Sequence, residues 1–253
     1  MGEEDVMKLL VDIGNTNFHF LKIKIDGKTE YLNCSREKLG LIKPLLNSDT
    51  EIYISSVNKD NLNAFLNLAN SKNATKINYI RPEDFADRLK KINLKIPNLG
   101  LLAPDLFLDI IGAEASTLVA DFGTASKFLF VDKSLTFQGG TLGLGLKATN
   151  TAMAGSTDLL EQYELKLPSK FISFETSEAI NIDTIFGSAN KLISLYWLLK
   201  KEYNEPNLKL IVTGSDAQLI ADAFNRLEFK EYTIDKLHTF KGMVKALDLR
   251  VDI

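Results

Sequence analysis

At 253 residues, the chain is long enough for one domain or for two similar halves. Its 45% hydrophobic and 25% charged content is ordinary for a globular protein, and a net charge of −3 with no basic run argues against a nucleic-acid surface. A single cysteine, Cys34, excludes an intrachain disulfide and a multi-cysteine metal site; two histidines, His19 and His238, give poor support to a zinc enzyme or a serine–histidine hydrolase. No stretch approaches the roughly 20 apolar residues of a membrane span. The acidic start Met1-Gly2-Glu3-Glu4-Asp5 is unlike a secretory signal, so a cytoplasmic location is expected.

In chain order, the first element is the run Leu10-Val11-Asp12-Ile13-Gly14-Asn15-Thr16, followed by a second apolar run from Phe18 to Ile25 that breaks at Asp26-Gly27. That pattern is strand, tight glycine turn, strand, with His19 in a structural role. Ser35 to Leu46 reads as a helix with Ser35 as N-cap, Glu51 to Val57 as a buried strand, and Lys59 to Ala69 as a helix. Lys76 to Ile80 is a short strand, and Arg81-Pro82-Glu83-Asp84 opens a helix with proline in its first turn. Residues 92–105 hold two prolines and a glycine and read as a loop. Asp105 stands where a helix through Leu106, Leu108, Ile111 and Ala115 should start. There it is either a plain N-cap or a general base reaching a cleft.

The second half repeats the scheme. Leu118-Val119-Ala120-Asp121-Phe122-Gly123-Thr124-Ala125 leads into Phe128 to Val131, which ends at Asp132-Lys133-Ser134. The next stretch, Phe137 to Leu146, carries Gly139, Gly140, Gly143 and Gly145, too many for a plain strand interior. It suits backbone packed against a ligand, or a glycine-rich bend. Helices are expected from Lys147 to about Gln162, from Thr176 with Glu178 in its first turn, and from Ile185 to Lys201. The strand ending at Thr213-Gly214 runs into a helix from Ala217, and Leu237, Phe240 and Met243 anchor a last helix over Lys241 to Leu249. With no long linker between them, the halves are expected to pack face to face around a cleft.

A glycine turn lets backbone approach a ligand closely and aim its N–H groups at anionic oxygens. Asn15, Thr16 and Thr124 add side-chain donors. An aspartate beside phosphate needs a cation between the two. One such Asp-x-Gly turn is common in ordinary hairpins. Two, each closing a buried-looking strand, favour phosphate binding over a pair of unrelated hairpins.

This order of turns resembles the actin, hexokinase and Hsp70 superfamily, and over nearly its whole length the chain resembles the type III pantothenate kinases. The match rests on Asp12-Ile13-Gly14-Asn15-Thr16-Asn17, on Asp121-Phe122-Gly123-Thr124-Ala125-Ser126, on Gly139-Gly140, on Leu167-Pro168 with Thr176 to Ile180 and Gly187, and on Thr213-Gly214. The resemblance implies an α/β fold of two tandem ribonuclease-H-like (actin-like ATPase) domains, residues 1–114 and 115–253, around a nucleotide cleft. It implies ATP-dependent phosphorylation of pantothenate to 4'-phosphopantothenate, the first step of coenzyme A biosynthesis, by a homodimer using Mg²⁺ and a monovalent cation, K⁺ or NH₄⁺.

Carried over residue by residue, Asp12, Gly14, Asn15, Thr16 and Asn17 hold phosphate, with Asp12 also on Mg²⁺. Gly123 and Thr124 cradle phosphate, Asp121 organises the monovalent cation, Asp105 is the base, and Gly100 and Thr176 touch substrate. The chain departs from the family pattern at Ala103-Pro104-Asp105-Leu106, where leucine stands in place of a substrate-gripping arginine. It departs again at Lys127, which replaces a hydroxyl, and at Leu144, Asp183 and Ser215. Lys127 is a candidate source of the missing positive charge. The alternatives are a non-catalytic or regulatory paralogue with an eroded acceptor site, and a kinase of the same fold acting on another small alcohol.

Overall fold

The computed structural model describes residues 6–253; the acidic stretch Met1–Asp5 lies outside the described residues. The chain divides into two compact units, residues 1–112 with 239–253, and residues 113–238. The C-terminal segment Thr239–Ile253, expected in the second domain, clusters with the first unit instead.

The first unit is built on a five-stranded sheet of order β3-β2-β1-β4-β5, comprising β1 (Lys8–Ile13), β2 (Asn17–Ile23), β3 (Thr29–Ser35), β4 (Glu51–Ser56) and β5 (Ile77–Tyr79). The three leading strands form an antiparallel meander, and β4 and β5 join parallel to β1. Alternation along the strands decides the faces. Leu9, Val11, Ile13, Phe18, Phe20, Ile52 and Ile54 share one face, buried with Phe65 and Ala69 of α1 (Lys59–Asn70). Asp12, opposite His19 on β2 and Ser55 on β4, points to the other face.

Further along, α2 (Ala86–Lys91) follows a 3-10 turn, Pro82–Phe85, and α3 spans Pro104–Gly112. The segment expected as an α-helix after Ser35 is a 3-10 helix, Arg36–Leu45, and the Ser35 side chain makes no cap. Pro44 lies inside it and supplies no N–H, so regular α-helical bonding could not continue there.

The second unit repeats the topology. Its sheet has the order β10-β9-β6-β7-β8, with β6 (Thr117–Phe122), β7 (Ala125–Val131), β8 (Phe137–Leu144), β9 (Lys209–Thr213) and β10 (Thr233–Ile234). Again three strands form an antiparallel meander and two more run parallel to the first. The mixed order 3-2-1-4-5, found twice, is the ribonuclease-H-like arrangement of actin-like ATPases. The glycine-rich stretch is not a bend but strand β8, with an irregular register against β7 at Phe130 and Val131. Gly139 takes the left-handed φ of 123°, and a Cβ on Gly140 would lie 2.4 Å from the Phe128 carbonyl oxygen. Glycine is used there to let two backbones meet.

Helices α4 (Leu146–Ser156), α5 (Thr176–Asn181), α6 (Ser188–Glu202) and α7 (Ala217–Arg226) complete this unit. A π-helical turn, Ile182–Gly187, joins α5 to α6, so the helical region begins well before Ile185. Leu146, Ile185, Phe186, Leu192, Tyr196, Ile220 and Phe224 pack with Leu118, Ala120 and Phe122 of β6 into its core.

The last helix, α8 (His238–Ala246), packs within the first unit from Thr239 onward. Thr239 Oγ1 donates to the buried Asp109 Oδ1 at 2.8 Å, and Phe240 meets Tyr31 edge-on. Gly242 lies so close to the Leu108 backbone that a Cβ would sit 2.0 Å from its oxygen. No described helix is long and apolar enough to cross a membrane.

Candidate functional site

The turn after β1 is held from the side. The Gly14 N–H donates to the Asn17 carbonyl at 3.0 Å, closing the turn, and the Val57 N–H bonds to the Ile13 carbonyl at 3.1 Å. Two asparagines at the start of α1 then grip it. The Asn61 amide donates to the Gly14 and Asn15 carbonyls at 2.9 and 3.2 Å, and the Asn58 amide to Asn15 Oδ1 at 3.0 Å. Asn58 also caps α1, its Oδ1 accepting from the Asn61 N–H at 2.9 Å. The clamp leaves Asn15 and Thr16 exposed at the tip while Gly14 and Asn17 are half-buried. Sequence reasoning missed both Asn58 and Asn61, although an Asn directly before a helical pattern is an N-cap signal.

Asp12 is half-buried at the end of β1. Its negative charge contributes to holding the Tyr31 phenol above its ordinary pKa, behind the larger effect of burial. Among the described residues, no group of three or more His, Cys, Asp or Glu side chains is placed to hold a metal. One carboxylate still fits a Mg²⁺ bound together with nucleotide, because this ion usually takes one or two carboxylates and completes its shell with phosphates and water.

Asp105 lies in the first turn of α3, one residue after Pro104, which opens the helix, so it is not the N-cap. It is half-buried, and its Oδ1 accepts the Leu106 N–H at 2.9 Å. Gly100 is exposed in a short 3-10 turn, and a Cβ added to it would meet nothing within 4 Å, so sterics alone do not demand glycine there. A cavity of about 500 Å³ in the same unit is lined by Leu89, Lys90, Asn93, Lys95, Pro97 and Leu99 among others; neither Asp105 nor Leu106 lines it.

The turn after β6 is built from backbone instead. The Gly123 N–H donates to Ala125, the Gly145 N–H to Thr124, and the Asp216 N–H to Phe122. A Cβ on Gly145 would lie 2.0 Å from the Gly123 oxygen. Gly214, with φ of 93°, would put one 2.3 Å from Asp121 Oδ1 and 2.4 Å from the Phe122 oxygen. Thr124 is exposed at the tip.

Asp121 faces Lys127 directly across the β6–β7 pair, and the Lys127 ammonium lies 2.5 Å from Asp121 Oδ2, with side-chain exposures of 10% and 14% for lysine and aspartate. Lys127 is therefore engaged by Asp121 inside the second unit. Burial raises the Asp216 carboxyl above its ordinary pKa; Lys147 opposes this, and the Asp121 charge adds to it.

In the same unit, Thr176 is the exposed first residue of α5. Two residues on, the Glu178 carboxylate accepts from Ser169 N–H, Ser169 Oγ and Ser173 Oγ. Those bonds hold its pKa at about 2.

A family model described as type III pantothenate kinase matches residues 8–196, about three quarters of the chain. The chain belongs to the type III pantothenate kinase family. The type III pantothenate kinase of Acholeplasma laidlawii is 28% identical over 155 residues, 60% of this chain and 60% of that protein. That of Agathobacter rectalis is 24% identical over 230 residues, 85% of this chain and 88% of its own. Among solved structures, a Campylobacter jejuni chain named for the Baf family of transcriptional activators shares the fold, with a TM-score of 0.60 and 22% identity over 95% of this chain and 97% of that one. Membership in the pantothenate kinase family makes this protein a phosphotransferase, and both glycine turns and Asp105 fall inside the matched residues.

Proposed function

We propose that this kinase transfers the γ-phosphoryl group of ATP to the primary hydroxyl of pantothenate, giving 4'-phosphopantothenate for coenzyme A synthesis. Family membership over residues 8–196 carries the reading, and the clamped turn at Gly14 supports it. Phosphoryl transfer asks for positioned donors and neutralised charge more than for covalent chemistry by the protein. In this reading Gly14, Asn15, Thr16 and Asn17 bind phosphate oxygens, and the Asn61 and Asn58 bonds keep the turn in shape before nucleotide arrives. Gly123 and Thr124 form the second phosphate turn.

Asp12 is the carboxylate for Mg²⁺, which when bound offsets the charge on the transferred group. Asp105 takes the proton from the attacking hydroxyl, a role open to a carboxylate held within hydrogen-bond reach of it. Gly100 and Thr176 contact the acceptor. The segment leading to Thr176 leaves Ile172 and Phe174 in solvent. Such apolar exposure supports a homodimer covering this face, which sedimentation would show as twice the chain mass.

Purified protein with ATP and Mg²⁺ is expected to consume ATP only when pantothenate is added. Asp105→Asn is expected to lower turnover by about 10²- to 10⁴-fold, the range for removing a general base, with ATP affinity retained in a calorimetric titration. ATP consumption that ignores pantothenate but follows another alcohol would replace the acceptor, and unchanged turnover in Asp105→Asn would remove it from the base role.

A further inference from the structure

We propose that the Lys127 ammonium is a built-in monovalent cation for this kinase, occupying the place beside Asp121 that the family resemblance assigns to K⁺ or NH₄⁺. The catalytic consequence rests on the kinase reading above; the structural one does not.

The register of β6 and β7 sets the two side chains directly opposite one another, on one face of the sheet, at the mouth of the second glycine turn. Their 2.5 Å contact is almost enclosed, so water screens it little. The carboxylate's other oxygen, Oδ1, is covered by Gly214, whose backbone comes so close that a Cβ would be 2.3 Å away. One oxygen of Asp121 is thus on the ammonium and the other lies against backbone. A free K⁺ beside this carboxylate would also face the Lys127 charge, and the repulsion between the two cations would offset a good part of what the K⁺ gains from the carboxylate. The residues present therefore do not fit K⁺ at Asp121. They do fit a primary ammonium: one compact unit charge with three donors. Being covalently attached, it is supplied at every salt concentration.

This pair is also what a structural ion pair would look like, and the cation response separates the two. Melting temperature and pantothenate-dependent turnover are measured in KCl, in NH₄Cl and in choline chloride at equal ionic strength, for the wild type and for Lys127→Thr, which restores a hydroxyl. The wild type is expected to melt at the same temperature and turn over at the same rate in all three salts. Lys127→Thr is expected to be stabilised by K⁺ or NH₄⁺ over choline, and to lose about 100-fold in turnover in choline, the effect of deleting one preorganised charge-stabilising group, with recovery in K⁺.

A wild type that melts higher or turns over faster in K⁺ than in choline overturns the proposal. So does a folded Lys127→Thr indifferent to all three salts, since Asp121 would then be no cation site at all. A Lys127→Thr that folds in KCl and not in choline is the expected result in its strongest form, and one that folds in neither leaves the wild-type comparison to decide. If pantothenate supports no turnover, the function proposed above fails, while the melting temperatures still test the cation.

Discussion

The turns after β1 and β6 occupy the same place in the same sheet order, yet they are stiffened in different ways. In the first unit, side chains do the holding: Asn61 of α1 and its N-cap Asn58 reach carbonyl and amide oxygens of Gly14 and Asn15, and a Cβ on Gly14 would lie 3.3 Å from the Asn17 oxygen, tight but without overlap. In the second, backbone does it, with Gly145 and Gly214 pressed against Gly123, Thr124 and Phe122 too closely for any Cβ, and with the Asp121–Lys127 pair at the base. One position in a fold can thus be fixed by replaceable hydrogen bonds or by contact that tolerates no added atom. The first solution grades with mutation; the second fails abruptly.

The largest expected effect breaks the comparison on the second side. Gly145→Ala places a methyl 2.0 Å from the Gly123 oxygen and 2.7 Å from the Thr124 oxygen, so strand and turn must separate. It is expected to cost roughly 3 kcal/mol or more, the upper part of the overpacking range, as a shift in the urea unfolding midpoint. The matched change Gly14→Ala, 3.3 Å from the Asn17 oxygen, is expected to stay within about 1 kcal/mol. Equal losses in the two variants would show that the turns are built alike after all.

Next in size is Asn61→Ala, which strips two bonds from a side chain only 5% exposed. An expected cost of about 1–3 kcal/mol follows from losing two partly buried hydrogen bonds together with the packing of the Asn61 side chain. It should be accompanied by weaker ATP binding as the turn loosens, read by calorimetry. ATP affinity equal to the wild type's would mean that the clamp serves only the fold.

The smallest effect concerns the loop before α5. Glu178 has its carboxyl lowered from 4.5 to about 2 by its bonds to Ser169 and Ser173. A lowered pKa means the folded state favours the ionised form, so this contribution is present above about pH 4.5 and fades as pH falls toward 2. The protection factor of the Ser169 amide, its exchange rate relative to the unprotected rate at the same pH, is expected to fall as pH drops through that window in the wild type and to be low throughout in Glu178→Gln. A loop whose protection does not change between those pH values would show that the serine bonds do not organise it.

Much of this was legible in the chain itself. Apolar runs closed by Asp-x-Gly located both hairpins, because strand alternation and tight-turn chemistry are local properties. The Asp121–Lys127 contact was also within reach, since a hairpin turning at Gly123 and Thr124 sets positions 121 and 127 opposite each other. The glycine run of β8 misled because composition alone cannot tell a bend from a strand whose neighbour comes unusually near. Asp105 was expected to reach a cleft or cap a helix; Pro104 takes the opening position and leaves it in the first turn.

By itself, then, the sequence determined the two strand–turn–strand units and the family, each written in neighbouring residues. Only the tertiary structure decided that Asn61 grips a turn 46 residues away, that α8 returns to the first unit against Leu108, and that the Asp121 carboxylate is already satisfied by a lysine. Those outcomes depend on which distant surfaces come within a few ångströms, and a contact of that kind leaves no periodic trace along the chain.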